Sequence, residues 1–286
     1  MKIFYELNKS PATHDIVYFL ARACESGEDL QVRIVKGNRL LSPRDQLYSL
    51  ERKEWRIHNL LIPVARLAKG VTGVTVVDEG EQTIPYVPPN TPCKPIFKAP
   101  EFALNIVNKA FSEIKNPVTI NIRQSDFNPI RNSRRTEWME VCKWLEKNGY
   151  TPVIIPDYEA ELLGDSWDFP YITYRAAAHS HALRLAAWES SVANLGVTNG
   201  PMMMGFMSEA PMMVFKMVVP GITVCSEEYL KKIAMSPSDD WGEFKRIYWE
   251  ADKADFIIDR LEHELPVFSK PKTLYIKDLY SLRKRV

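Results

Sequence analysis

Several signatures of common nucleotide-binding and hydrolytic proteins are missing from this 286-residue sequence. Only 12 glycines are present and no two stand two residues apart, so the G-x-G-x-x-G turn of standard dinucleotide-binding folds is absent. The sequence also contains no Walker P-loop lysine motif, no G-x-S-x-G nucleophile elbow and no H-E-x-x-H zinc motif. His179 and His181 are two residues apart, but no Cys or Glu completes a metal pattern, so we expect no metal site.

Paired cysteines and long apolar runs are missing as well. The four cysteines are far apart and form no C-x-x-C motif, which is typical of buried free thiols in a reducing compartment. No uninterrupted run of about 18 apolar residues exists, so no membrane span is predicted. The first residues follow a strand pattern and lack the apolar stretch of a signal peptide. We therefore expect a cytoplasmic protein.

The charge balance excludes one further class of protein. With 37 basic and 36 acidic residues the net charge is +1, which argues against a general nucleic-acid binder. An apolar fraction of 45% is enough for a normal globular core, and 286 residues suit two modest domains or one large domain.

Strand and helix patterns alternate along the chain, which favours an α/β fold with parallel strands joined by crossovers. A proline-rich stretch at 79–95 is the best linker, so we predict an N-terminal Rossmann-like domain at 1–95 and a C-terminal domain at 96–286. The predicted strands are 2–7, 30–35, 71–77, 118–123, 153–155, 195–197, 212–217 and a last short segment at 273–276. The predicted helices are 14–24, 51–69 with a kink or a break at Pro63, 100–114, 137–147, 181–194, 201–208 and 252–264.

Two strand-to-loop junctions in the second half predict an anion site. One strand ends on Arg123, and a second meets a Gly200-Pro201 helix start. Open α/β sheets bind ligands at the carboxyl ends of their strands, and a helix N-terminus offers free N–H groups to an anion. A guanidinium at such an edge can bind phosphate oxygens through two hydrogen bonds, so a phosphorylated ligand is the leading hypothesis.

The loops at both junctions add further candidate ligand contacts. After the first strand these are Asp126, Arg131, Asn132 and Ser133; the alternatives are a surface pair of Arg123 with Asp126 and helix capping by Asn132 or Ser133. At the second junction the candidates are Thr198, Asn199, Gly200, Pro201 and the amide of Met202. The alternative there is an ordinary strand–helix turn that is capped by Thr198 or Asn199.

Four acidic or histidine residues elsewhere are candidates with equally simple alternatives. Asp157 follows a strand and Glu189 lies in a predicted helix, and either carboxylate can bind ribose hydroxyls or face solvent. His14 and Asp15 follow the first strand, where either side chain could act as a general base for a hydroxyl acceptor. Helix capping by Thr13 or Asp15 is the alternative for this loop.

At these residues the sequence resembles two families of glycosyltransferases. The run from Leu195 to Met202 resembles the Asp-Thr-Gly-Pro-Met-His donor-site turn of bacterial heptosyltransferases, with Thr198 in place of the aspartate and Asn199 in place of the threonine. The run from Asn121 to Asp126 resembles the His-x-Arg-x-x-Asp strand end of GDP-fucose-dependent fucosyltransferases, with Asn121 in place of the histidine. The whole chain also resembles uncharacterised glycosyltransferase-like proteins of bacterial polysaccharide loci.

The resemblance implies a GT-B architecture, in which two Rossmann-like domains face each other and the C-terminal domain holds a nucleotide sugar without a metal. Arg123 would then neutralise the β-phosphate, and His14 or Asp15 would deprotonate an acceptor hydroxyl, giving transfer with inversion. The expected partners are a GDP-, ADP- or UDP-linked sugar and a hydroxyl acceptor in polysaccharide or glycoconjugate synthesis, with no cofactor. The alternatives are a nucleotide-sugar epimerase and a non-catalytic relative that binds a nucleotide or a partner protein.

Overall fold

The computed structural model describes residues 1–37, 50–84 and 90–269, which contain two parallel sheets flanked by helices. We call residues 1–84 the first lobe and residues 101–269 the second lobe. The predicted fold class, α/β with mostly parallel sheets, is confirmed. The boundary between domains at residue 95 stays a prediction. Pro85, Pro88 and Pro89 of the predicted linker and the predicted segment at 273–276 lie outside the described residues.

The first lobe is a three-stranded parallel sheet in the order β1-β2-β3. Its strands are β1 (Lys2–Glu6), β2 (Leu30–Val35) and β3 (Val71–Val77), and its helices are α1 (Ile16–Cys24), α2 (Leu50–Arg56) and α3 (Ile62–Arg66). A π-helical turn at Ile57–Leu61 joins α2 to α3, and Ile62 N donates to Ile57 O there. Pro63, which has no amide proton, follows at once, so the predicted kink takes the form of this turn.

The second lobe is a six-stranded parallel sheet in the order β6-β5-β4-β7-β8-β9. Its strands are β4 (Pro117–Asn121), β5 (Thr151–Ile155), β6 (Ile172–Thr173), β7 (Ala193–Val197), β8 (Met212–Phe215) and β9 (Lys245–Ile247). All five residues of β7 are buried, as expected for a parallel strand with helices on both faces. The helices are α4 (Glu101–Ala110), α5 (Arg135–Lys147), α6 (Tyr158–Leu163), α7 (Ala176–His179), α8 (His181–Glu189), α9 (Gly200–Phe206), α10 (Glu227–Lys232) and α11 (Ala254–Phe268).

The structure differs from the predicted elements at several points. The short strands β6 and β9 and the short helices α6 and α10 were not predicted, because two to six residues are too few for a clear hydrophobic period. The predicted helix at 181–194 ends at Glu189. Asn194 belongs to β7, where its side chain donates to the carbonyls of Trp188 and Pro211.

One apolar core runs through both lobes. It joins Tyr5 and Phe19 of the first lobe to Leu185 and Met204 of the second without interruption. Phe97 connects the lobes a second time, because it forms isolated β-bridges to Ala68 on one side and Ser208 on the other. The two sheets are therefore packed together and not only tethered.

We predict that Asn121→Ala destabilises the second lobe. Asn121 is buried at the end of β4, where its side chain accepts the indole proton of Trp188 at 3.0 Å and donates to Leu195 O at 3.1 Å. Removing the amide takes away the acceptor of the buried Trp188 indole N–H, which costs about 1–3 kcal/mol of unfolding free energy. Urea unfolding measures this loss, and the exposed Asn148→Ala is the control. Equal stability of the two variants would contradict the assigned role.

Candidate functional site

The direction of the chain reverses at β4. From β4 it proceeds to β5 and β6 on one side, and it then returns to β7, β8 and β9 on the other side. Doubly wound sheets bind ligands in the crevice outside the carboxyl ends of the strands at such a reversal. Asn121 of β4 lies opposite Gly196 of β7, so Arg123 and Thr198, two residues farther on, reach the same edge. The two sequence-predicted junctions are thus neighbours, and we call the space between them the β4–β7 crevice.

Arg123 holds its own loop together. Its guanidinium donates to Asn128 O at 3.2 Å and also to Phe127 O and Asn132 Oδ1, and the residue is only 5% exposed. Its amide donates to Ser133 Oγ at 2.9 Å. The guanidinium therefore stabilises the loop that follows β4 and lies beneath the rim.

Neither Asn132 nor Ser133 caps the next helix, so the predicted capping alternative is wrong for both residues. Helix α5 begins at Arg135 and has no side-chain cap, whereas Asn132 and Ser133 accept hydrogen bonds from Arg123. Asp126, from the same loop, is exposed.

Arg131 is the cation that spans the crevice. One of its terminal nitrogens donates to Thr198 O at 3.2 Å, which joins the β4 loop to the β7 loop. Its Nε is buried and has no hydrogen-bond partner among the described residues. The charges of Arg131 and Arg123 both act on the nearby Cys225 thiol, where they oppose the larger effect of burial, which raises its pKa.

Lys216 was not predicted, although it follows β8 just as Arg123 follows β4. Its ammonium donates to Asn132 O at 2.7 Å and forms an ion pair with Asp252 Oδ1 at 3.3 Å. Burial lowers the pKa of Lys216, and the Asp252 carboxylate opposes that shift. Three adjacent strands, β4, β7 and β8, therefore have cations at their carboxyl ends. The rule that selected Arg123, a basic residue just past an apolar strand, also finds Lys216.

The Gly200 turn is built differently from the sequence interpretation. The Asn199 side chain caps α9 by accepting the Met202 amide proton at 3.0 Å, so that amide is already engaged. The predicted capping alternative is correct here. Gly200 is needed for a contact inside the protein, because a Cβ at this position would lie 2.7–2.8 Å from atoms of His14. Pro201 is the second residue of α9 and follows this contact.

His14 and Asp15 reach the second lobe at this turn. His14 Nε2 lies 3.0 Å from His181 Nε2, across the boundary between the lobes. Asp15 does not cap α1 with its side chain, and its Oδ2 accepts the Thr13 hydroxyl at 2.5 Å. The charge of Asp15 acts on Tyr229, a second-lobe residue. The two candidate bases therefore lie beside the Gly200 turn.

The two remaining predicted carboxylates, Asp157 and Glu189, lie at opposite edges of the sheet. Asp157 follows β5 at the same sheet edge, where it accepts amide protons from Glu159 at 3.0 Å and Gln124 at 3.3 Å, and burial raises its pKa. Glu189 lies at the opposite edge, because α8 ends there just before β7 begins. Its carboxylate accepts the Ala99 amide proton at 2.8 Å. Glu189 therefore lies near the amino end of β7, whereas the crevice lies at its carboxyl end.

Two cavities open beside these residues. A cavity of about 450 Å³ lies at the carboxyl ends of β4 and β8 and is lined by Asn132, Ser133, Trp167 and Lys216, among others. A second cavity of about 240 Å³, which we call the interlobe cavity, is lined by His14, Trp55, Asn59, Tyr158, His181 and Arg184, among others. The first is the larger space for a ligand, and the second joins the two lobes.

Neither a group that could hold a metal ion nor a helix that could cross a membrane occurs within the described ranges. Residues 1–37, 50–84 and 90–269 bring no three His, Cys, Asp or Glu side chains into a group that could hold a metal ion. No helix in that part of the chain is long and apolar enough to cross a membrane.

No protein-family model matches the chain, and no curated protein matches its sequence. Solved structures that it resembles include a glycosyl transferase of family 9 from Veillonella parvula DSM 2008, at 11% identity and a TM-score of 0.43, covering 88% of this chain and 77% of that one. Another is the E. coli ADP-heptose LPS heptosyltransferase II, at 12% identity and a TM-score of 0.48, covering 93% of this chain and 98% of that one.

We predict that Gly200→Ala destabilises the boundary between the lobes and that His14→Ala partly reverses the effect. The new methyl group would collide with the His14 ring, and removing the ring relieves the collision. Thermal unfolding of both single variants and of the double variant gives the coupling energy. Independent, additive effects would show that the two residues do not touch.

We also predict that His181→Gln reduces the acid sensitivity of the fold. Burial is the main cause, and the charge of Arg184 a smaller one, of the low pKa of His181, about 3 against an ordinary 6.5. Between those values the unfolded chain takes up a proton that the folded chain does not, so the free energy of unfolding falls as pH falls. The variant should lose less stability than the parent between pH 6.5 and pH 4.5. Replacing the exposed His263 by Gln should change nothing, and an unaltered pH profile for His181→Gln would refute the assignment.

Proposed function

We propose that the chain is a glycosyltransferase that uses a nucleotide-diphosphate sugar, linked to GDP, ADP or UDP, to glycosylate a hydroxyl acceptor. The observation that carries the proposal is the position of Arg131. This cation lies in the crevice at the reversal of strand order, bridges the loops after β4 and β7, and keeps a buried Nε without a partner among the described residues. That arrangement suits a diphosphate group.

The proposed roles follow from the charges at the sheet edge. Arg131 and Lys216 stabilise the charge that develops on the diphosphate as the bond between the sugar carbon and the phosphate oxygen breaks. Arg123 holds the loop that positions Arg131. His14 or Asp15 takes the proton of the acceptor hydroxyl, whose oxygen forms the new bond to the sugar carbon. A single displacement of this kind inverts the configuration at that carbon and leaves a nucleoside diphosphate.

A metal ion is not required in this proposal, because cationic side chains act on the diphosphate. Arg131 and Lys216 supply the positive charge that a divalent ion supplies elsewhere. We therefore expect turnover to persist after treatment of the protein with EDTA.

A non-catalytic relative is the second candidate function, and one observation favours it. The Arg123 guanidinium and the Met202 amide, both predicted to meet the ligand, are engaged inside the protein. A protein that binds a nucleotide without turnover needs fewer side chains and backbone amides in contact with the ligand than an enzyme does. Such a protein would be stabilised by nucleotides but would not consume a nucleotide sugar.

We predict that Arg131→Gln weakens nucleotide binding. Calorimetry with GDP, UDP and ADP should show binding of at least one nucleotide to the parent protein, and a loss of about 1.5–3 kcal/mol in the variant, the range for hydrogen bonds to charged groups. Lys143→Gln, an exposed cation on α5, is the matched control. Parent-like affinity of Arg131→Gln would exclude the assigned role.

Turnover assays then separate the possible activities. Incubation with nucleotide sugars should release a nucleoside diphosphate through transfer or hydrolysis. A change in the sugar with the nucleotide still attached would indicate the epimerase instead. Binding without any turnover would indicate the non-catalytic relative.

A further inference from the structure

The interlobe cavity contains a buried cation that the proposed reaction does not use. Arg184 lies in the first turn of α8 and is 5% exposed. Its Nε donates to Ala177 O at 2.8 Å, and one terminal nitrogen donates to Pro156 O at 3.3 Å. Neither acceptor carries a charge, and Arg184 forms no ion pair with any residue in the described ranges. A buried cation is costly without a counter-charge, so this residue favours an anion.

Asp157 offsets part of the Arg184 charge without forming an ion pair with it among the described residues. The charge of Asp157 acts on Arg184, but the two oxygens of that carboxylate accept amide protons from Gln124 and Glu159. Glu159 in turn forms an ion pair with Arg56 at 2.8 Å. The described residues that line the cavity include no carboxylate. Arg184 is therefore the only Lys, Arg, Asp or Glu side chain among the described residues that line the cavity.

His181 adds a polar group that lacks a partner. It lies three residues before Arg184, so both side chains face the same side of α8. Its Nε2 contacts His14, whereas its Nδ1 is buried and unpaired among the described residues. The tautomer decides whether Nδ1 donates or accepts, and a hydroxyl group satisfies either state because it can do both.

Two aromatic side chains in the cavity wall suit a ligand that contains a ring. Trp55 of the first lobe and Tyr158 of the second are stacked with centroids 5.9 Å apart and an angle of 6° between their planes. Aromatic side chains pack against other rings face to face or edge to face, and both of these residues line the cavity. A cavity of about 150 Å³ is enough for benzene. The volume of about 240 Å³ therefore holds one substituted six-membered ring.

We propose that the interlobe cavity is a second ligand site, separate from the β4–β7 crevice, for a single-ring molecule that carries a carboxylate or phosphate group and a hydroxyl group. The acidic group binds Arg184, the hydroxyl group binds His181, and the ring lies against Trp55 and Tyr158. Sugar acids and sugar phosphates have this chemistry. Because residues of both lobes contact the ligand, binding holds the lobes together. His14, one of the two proposed bases, also lines this cavity, but the site binds its ligand whether or not the chain is a transferase.

Calorimetry without nucleotide tests the class of ligand. The probes are D-glucuronate, glucose 6-phosphate, neutral glucose and inorganic phosphate. We expect one or both ring anions to bind, with glucose and inorganic phosphate weaker by about tenfold or more, since each lacks one of the recognised features. Equal binding of glucose and glucuronate would overturn the proposal, and so would the absence of binding by both ring anions.

Variants at the mouth of the cavity test its location. Leu162 lines the cavity and is 55% exposed, whereas its neighbour Leu163 is 64% exposed and does not line it. Leu162→Trp should weaken binding of the ring anion by obstruction, and Leu163→Trp, the matched control, should not. Both replacements are at the surface, so neither depends on a repacked core. Parent-like binding by Leu162→Trp would place the ligand elsewhere and refute the site.

Two further measurements test the charge and the separateness of the site. Arg184→Gln keeps a donor for the neighbouring carbonyls but removes the cation, and should reduce affinity for ring anions by about tenfold or more while affinity for nucleotides is retained. Titration in the presence of saturating nucleotide should leave the affinity for the ring anion unchanged or improved. Displacement of the anion by the nucleotide would show one shared site and overturn the proposal of a second.

Discussion

The pairing of β4 with β7 is the constraint on which the rest of the second lobe depends. It brings together two strands that are far apart in sequence, and it creates the reversal of strand order at which the crevice opens. A Cβ at Gly196 would lie only 3.0 Å from Asn121 O, so the two strands are packed closely at this point. Asn121 then fastens β7 and α8 to β4 through Leu195 and Trp188. A buried polar network therefore sets the shape of the site.

Much of the polar chemistry at the sheet edge serves the protein itself. Arg123 organises the loop after β4, Asn199 caps α9, and Asp157 joins two loops. Such groups hold their neighbours in place before any ligand arrives, which is what a preorganised electrostatic site requires. The Arg131 side chain differs from them, because among the described residues it donates only to Thr198 O and its buried Nε has no partner.

The sequence predicted the long elements of the fold and the edge at which the crevice lies, because apolar strands and the residues after them follow local rules. Arg123 and Thr198 were found in this way, and the same rule applied to β8 would have found Lys216. The contact of His14 with Gly200 could not be found, because it joins residues that are distant in sequence and depends on how the lobes pack. Glu189 was misplaced for a different reason: its helix ends five residues earlier than the apolar pattern indicates, so the carboxylate lies at the wrong edge.

The double bridge at Phe97 has a consequence for how the lobes can move. Its strand-like pairing reaches Ala68 on one side and Ser208 on the other, and the Ile96 and Phe97 amides both donate to Met207 O. Because this segment pairs with both lobes, it fixes their relative position at Phe97. Any movement that parted the lobes at the His14 side would have to be a rotation about this segment if the pairing were to stay intact. The pairing of Phe97 with both lobes therefore excludes free rotation of one lobe about the other while these bridges hold.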